Sequence, residues 1–177
     1  SITLSTHYFG SADIGDYSDT AKFFAGEYSA KLRASHSYLY GFIFSFFIKF
    51  AKSFIVFKIG SLIFISLIIF SLYYITGKSK RSLWLMLLSP VVWYMAPWIN
   101  PIQLASLIFL WAFYFMMKYD KTEKLRFLLY SSFLIGLGWA IWDTILFFGI
   151  FLFLCFIIDK KFINAIYAFA FILIGLS

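Results

Sequence analysis

From Tyr38 onward the chain is a succession of apolar runs separated by short polar or basic interruptions, and the spacing of those interruptions predicts the elements. A helix that crosses a membrane needs about 20 mostly apolar residues for a hydrocarbon core ~30 Å thick. Residues 38–57 form the first such run, interrupted by Lys49 and Lys52, and residues 59–75 form the second. Residues 83–117 are too long for one helix and contain Pro97-Trp98-Ile99-Asn100-Pro101. Two prolines around an asparagine predict a turn between the arms of a helical hairpin. Residues 127–158 predict a second hairpin, turning near Trp142 and Asp143, and residues 162–176 begin one more helix. Ahead of these, residues 1–37 are polar. Within them Tyr17, Ala21, Phe24, Ala25, Tyr28 and Leu32 recur at helical spacing, with Lys22, Glu27, Lys31 and Arg33 among the remainder. That stripe predicts a juxtamembrane amphipathic helix on the bilayer surface. The expected architecture is an all-α, polytopic integral membrane protein. Its first loop, residues 1–37, is non-cytoplasmic, and residues 38–177 form about six to seven spans, several of them in short hairpins.

Composition supports this class. Hydrophobic residues make up 63% of the chain and charged residues 13%, against roughly 45–50% and about 25% in soluble domains. A soluble chain of 177 residues has too much surface for its volume to hide that many apolar side chains. The net charge of +7 raises the question of nucleic acid, but its placement argues against that partner. Lys78, Lys80 and Arg81 form one cluster, Lys118, Lys121, Lys124 and Arg126 a second, and Lys160 and Lys161 a third, each at the end of an apolar run. Basic loops of this kind are retained on the cytoplasmic side; a nucleic-acid site would gather its charge on one surface. The Asn100 and Asp143 turns then face the other way. One conflict remains, because only one span's length separates Lys49, Lys52 and Lys58 from the Lys78 cluster. Either the Lys49 group snorkels on the far side, or the helix from Ile59 is not a simple span. Cys155, the single cysteine, excludes an intrachain disulfide. The chain starts without Met and stops inside an apolar run, so it is expected to be a piece of a longer protein.

Polar chemistry concentrates in the first segment. Asp13, Asp16 and Asp19 lie within seven positions and could supply a general base or bind a divalent metal. The structural alternative differs by residue. Asp16 stands where a helix N-cap is expected and Asp19 would follow in the first turn, where a carboxylate suits the helix dipole. Asp13 precedes the helix and has no such duty. His7 and His36 are too few and too far apart for a recognisable zinc site. Asp143 lies in an apolar region where charge is costly, so it faces either a polar cavity or the watery edge of a turn. Asn100 and Gln103 have the same two readings, with the turn favoured for Asn100. Trp93, Trp98, Trp139 and Trp142 are placed as interfacial anchors.

The run Asp13-Ile-Gly-Asp16-Tyr17-Ser-Asp-Thr-Ala21-Lys-Phe-Phe-Ala-Gly26, followed by His36-Ser-Tyr-Leu-Tyr40-Gly, resembles the first external loop and following helix of GT-C membrane glycosyltransferases. The likeness is to the amino-terminal module of the protein-mannosyltransferase and aminoarabinose-transferase type. Ser89-Pro90 and Gly136-Leu-Gly138 resemble later landmarks of that family. Paired prolines common in it are missing between Ser35 and Tyr40, Gln103 stands near a commonly acidic position, and Asp143 near a commonly basic one.

The resemblance implies transfer of a sugar from a polyprenyl-phosphate-linked donor to an acceptor at the non-cytoplasmic membrane face. Asp13 is then the expected catalytic base, with Asp16 as its substitute or as a metal ligand. Arg33, His36 or Lys31 would hold the donor phosphate. Tyr17, Tyr38 and Tyr40 would stack on sugar or line the lipid groove, and Asp143 would contact substrate. The implied partners are the lipid-linked sugar donor, membrane lipid and an acceptor. A transporter or channel subunit with Asp143 and the broken hairpins along its path, and a non-catalytic scaffold using the first loop for docking, are the rival readings.

Overall fold

The computed structural model describes residues 14–28, 38–51, 53–96 and 98–177. Among these residues the regular elements are all helices: α1 (Ile14–Phe24), α2 (Tyr38–Ile48), α3 (Ser53–Ile75), α4 (Lys80–Leu87), α5 (Pro90–Met95), α6 (Ile102–Thr122), α7 (Leu125–Trp139), α8 (Ile145–Ile158) and α9 (Phe162–Leu176). The chain divides into two compact units, Ser1–Leu104 and Ala105–Ser177.

In the first unit, α1 both begins and ends earlier than its apolar stripe suggests. Its end has a local cause: Gly26 adopts φ +101°, its N–H bonds the Phe23 carbonyl, and the Glu27 N–H reaches back to Lys22 at 3.0 Å. This is the left-handed cap that glycine permits without steric cost. The apolar face of α1, Tyr17 and Ala21 with Thr20 between them, is buried and packs along α2. Helix α2 and the first half of α3 form an antiparallel hairpin, with the Phe44 ring 4.4 Å from Phe57 and 6.0 Å from Phe64. Helix α3 closes at Gly77 by the same capping pattern, the Lys78 N–H bonding the Tyr73 carbonyl at 2.8 Å.

The expected long first arm of the next hairpin is broken in two. Pro90 has no N–H to continue a helix and occupies the first turn of α5, after an extended Ser89 (ψ 115°). The Trp93 indole N–H bonds the Leu87 carbonyl across this break. Of the turn expected at residues 97–101, the described residues 98–101 lead directly into α6. There Asn100 Oδ1 accepts the Ile102 N–H at 2.8 Å, an N-cap for α6.

In the second unit, α7 and α8 form the expected hairpin, turning through residues 140–144. Helix α9 packs on both. Its approach to α7 is close enough for backbones to touch: a Cβ at Gly136 would strike the Ile172 carbonyl, and one at Gly175 the Phe133 carbonyl. Two side-chain bonds tie α6 to its neighbours, Ser131 Oγ donating to the Ala112 carbonyl at 2.9 Å and Asn164 Nδ2 to the Tyr119 hydroxyl at 2.7 Å. Small residues at close crossings and hydroxyl bonds between helices are the usual means of association where lipid removes the hydrophobic drive.

Among the described residues, Phe54–Ile75 of α3 and Ile102–Thr122 of α6 are long and apolar enough to cross a membrane. Only 33% of the first stretch and 28% of the second is buried, whereas the core helix of a soluble protein would be mostly covered. Helices α2, α7, α8 and α9 are apolar but shorter; at 1.5 Å per residue α7 to α9 reach roughly 21–23 Å. Large apolar side chains such as Phe70, Phe147, Phe151 and Ile163 point outward on these helices, an exposed apolar surface that water does not favour.

Candidate functional site

Among the described residues a buried polar cluster lies in the first unit, where α1, α2, α3 and the turn before α6 meet. It begins with Tyr17 and Tyr40, which the hydropathy pattern puts on the inward faces of α1 and α2. Tyr17 is 4% exposed and Tyr40 fully covered, and their rings meet edge to face at 5.6 Å. Tyr40 also packs on Phe44 at 4.8 Å and on Phe57 at 5.6 Å. Phe57, Lys58 and Ser61 occupy the covered face of α3, each 1% exposed or less. The Lys58 ammonium lies 4.5 Å from the centre of the Phe54 ring.

The backbone of the turn supplies the next part. In a continuous helix the Trp98 carbonyl would accept the Ile102 N–H, but Asn100 takes that donor. The freed carbonyl accepts Ser61 Oγ at 2.8 Å and Gln103 Nε2 at 3.2 Å. A serine from α3 and an amide from α6 therefore converge on one oxygen. The Tyr40 hydroxyl and the Trp98 Nε1 are buried with no hydrogen-bond partner among the described residues, the Trp98 ring lying 5.6 Å from that of Tyr94. Ser61 lies near the Tyr40 phenol and donates its own hydrogen bond to the Trp98 carbonyl, which leaves its oxygen able to accept.

The residues singled out from the sequence fall into three groups. Asp13, Arg33 and His36 lie outside the described residues. Asp16, Tyr17 and Tyr40 belong to the first unit. Asp16 stands in the first turn of α1, inside the helix and not at its cap, and its carbonyl accepts Thr20 Oγ1 at 2.7 Å. Asp19 pairs with Lys22 at 3.9 Å on the half-exposed side of α1, an arrangement of little energetic weight. Asp143 belongs to the second unit and is exposed in the α7–α8 turn, the turn-edge alternative. Among the described residues no three His, Cys, Asp or Glu side chains gather as a metal site.

Lys58, Ser61 and Trp98 join the site without having been singled out as chemistry. The signal for the first two was a lone lysine in an apolar run with a serine three positions on, one helical face for both. Trp98 is half-buried with its N–H covered, where an interfacial anchor keeps its N–H toward water. Compared with family models, characterised proteins and solved structures, the chain matches none.

Proposed function

We propose that the chain is a polytopic membrane protein with residues 1–37 on the non-cytoplasmic face, and that it forms the amino-terminal module of a glycosyltransferase using a polyprenyl-phosphate-linked sugar. One observation carries this reading. The spaced residues of the first-loop run that lie among the described residues each do something structural. Tyr17 and Ala21 fasten α1 to α2, and Gly26 ends α1 in a conformation that favours glycine. A run with this division of labour holds the segment next to Asp13 at the head of a fixed helix. Tyr17 and Tyr40 then act by positioning, since their faces are occupied by protein.

In the proposed reaction an acceptor hydroxyl oxygen attacks the anomeric carbon of the donor. Its proton passes to the Asp13 carboxylate, the bond from the sugar to phosphate oxygen breaks, and the lipid phosphate leaves. Asp16 is the substitute base, and Arg33 and His36 are the candidate phosphate ligands, Arg being suited by its forked donors. Asp143 is the remaining candidate substrate contact. A transport path would want ionisable groups at mid-membrane depth, and Asp143 stands instead in an exposed turn.

The test is sugar transfer in membranes carrying the full-length parent, supplied with polyprenyl-phosphate sugars. Asp13→Asn should lower turnover by at least ~100-fold at unchanged protein level, while Asp19→Asn, at a half-exposed carboxylate paired with Lys22, retains most of it. Undiminished transfer in Asp13→Asn would remove Asp13 as the base and shift the role to Asp16.

A further inference from the structure

We infer that the second unit is built for a thin bilayer, its partner being short-chain lipid with a hydrocarbon core of roughly 22 Å. This rests on the proposed membrane insertion and not on the transferase reading.

The unit has two polar ends. At one, the α6–α7 and α8–α9 links are joined, with Lys161 Nζ 3.8 Å from a Glu123 carboxylate oxygen. Lys118, Lys124, Arg126, Asp159 and Lys160 belong to the same links or their flanks and are exposed. At the other end is the turn through residues 140–144, where Asp143 and Thr144 are exposed. Between these ends α7 has 15 residues and α8 has 14, which is roughly 21–23 Å at 1.5 Å per residue. Helix α6 gives an independent measure. Its stretch without an amide or charged side chain, Leu104 to Met117, is roughly 21 Å long. On α8 the large side chains of Phe147, Phe151, Leu154 and Ile158 are exposed, so the apolar girdle runs the length of that helix and stops where it stops. An average hydrocarbon core is ~30 Å thick, and the girdle falls short of it by about 8 Å.

Three adjustments could close that gap. Tilt is the wrong one, because a tilted helix reaches less far across the bilayer. Snorkelling closes part of it, since Lys118, Lys124 and Arg126 have long stems that carry their charges outward from the basic end. The turn has no such device. Asp143 and Thr144 have short side chains, and a carboxylate drawn into hydrocarbon is costly. Trp139 and Trp142 flank the turn and, as interfacial anchors, hold it at headgroup level. The remaining adjustment is in the lipid, which thins beside the unit or is replaced by shorter chains. In a bilayer of average thickness the headgroups are then drawn down to the level of Asp143, and the turn lies in a dip of the surface.

The experiment reconstitutes the wild-type chain in phosphatidylcholine vesicles with dimyristoleoyl, dioleoyl or dierucoyl chains, in order of increasing thickness. Alkaline carbonate comes first: a chain that it strips from all three vesicles is not inserted, and the membrane reading fails together with this inference. For the inserted chain, unfolding is followed with a thiol-reactive fluorophore. Cys155 is the one cysteine of the chain and lies half-buried on α8, so the signal comes from the second unit. The midpoint should be highest in dimyristoleoyl lipid and lower by at least ~5 °C in dierucoyl lipid. From an equimolar mixture of these two, the lipid co-extracted with the chain by an amphipathic copolymer should be enriched at least ~2-fold in the shorter chains. A midpoint highest in dioleoyl lipid, or equal in all three, would overturn the inference while leaving insertion intact. Co-extracted lipid of bulk composition would overturn it as well.

Discussion

Tyr17 and Tyr40 show how far single residues can be read from their neighbours. Tyr17 stands out on the apolar stripe of a polar stretch and Tyr40 at the opening of the first apolar run, and the structure puts their rings against each other. Their role follows from burial: truncating a buried aromatic removes its packing and leaves a cavity, at about 3–5 kcal/mol. Tyr17→Ala should therefore release α1 from α2, read as faster proteolytic cleavage within residues 14–28 at unchanged helix content elsewhere. Asn100 gives a milder case. Its cap is worth ~1 kcal/mol, so Asn100→Ala should lower the unfolding midpoint slightly and free the Ile102 N–H for the Trp98 carbonyl, while Asn100→Asp keeps the acceptor and the midpoint. Lys58 is the residue least legible in advance. In sequence it is a topological conflict, because periodicity reports which face a residue occupies and says nothing about what covers it.

Turns are more legible than helix lengths. Residues 97–101 and the stretch around Asp143 announce themselves through prolines and a charge, and the described residues 98–101 and 140–144 are both non-helical links into the next helix. The break at Pro90 is hidden because apolar residues continue through it, and hydropathy alone does not register a missing N–H. The end of α1 is obscured for a related reason: the stripe runs on to Leu32 while Gly26 turns the backbone aside. The contact of α7 with α9 is invisible to periodicity and depends on glycine at both sides. Gly136→Leu puts a side chain where the Ile172 carbonyl lies, so the second unit should lose several kcal/mol and unfold at a markedly lower temperature in detergent. Gly15→Ala is the matching control. Nothing lies within 4 Å of a Cβ there, and helix propensity favours alanine by about 1 kcal/mol.

For the molecule as a whole the open matter in the sequence is which face carries Lys49 and its neighbours, and helix length bears on it. Helix α2 has 11 residues, roughly 16 Å, about half of what a crossing needs. It can run into the interface and turn without changing sides. Helix α3 is long enough to cross, and the Ser61–Trp98 bond brings the chain back through α4 and α5 to the level at which α6 begins. The proposed topology therefore keeps Lys49 on the face of residues 1–37 and the Lys78 cluster on the cytoplasmic face, with no need for a buried lysine to snorkel through the core. Single cysteines in a Cys155→Ala background test this with a membrane-impermeant maleimide. Lys49→Cys and Thr144→Cys should label from the non-cytoplasmic side, and Ser79→Cys, Lys121→Cys and Lys160→Cys only after the cytoplasmic face is opened. Labelling of Lys49→Cys from the cytoplasmic side would mean that the α2–α3 hairpin is inserted the other way. That outcome would exchange the faces proposed for residues 1–37 and for the Lys78 cluster, so this one labelling position tests the sidedness of both.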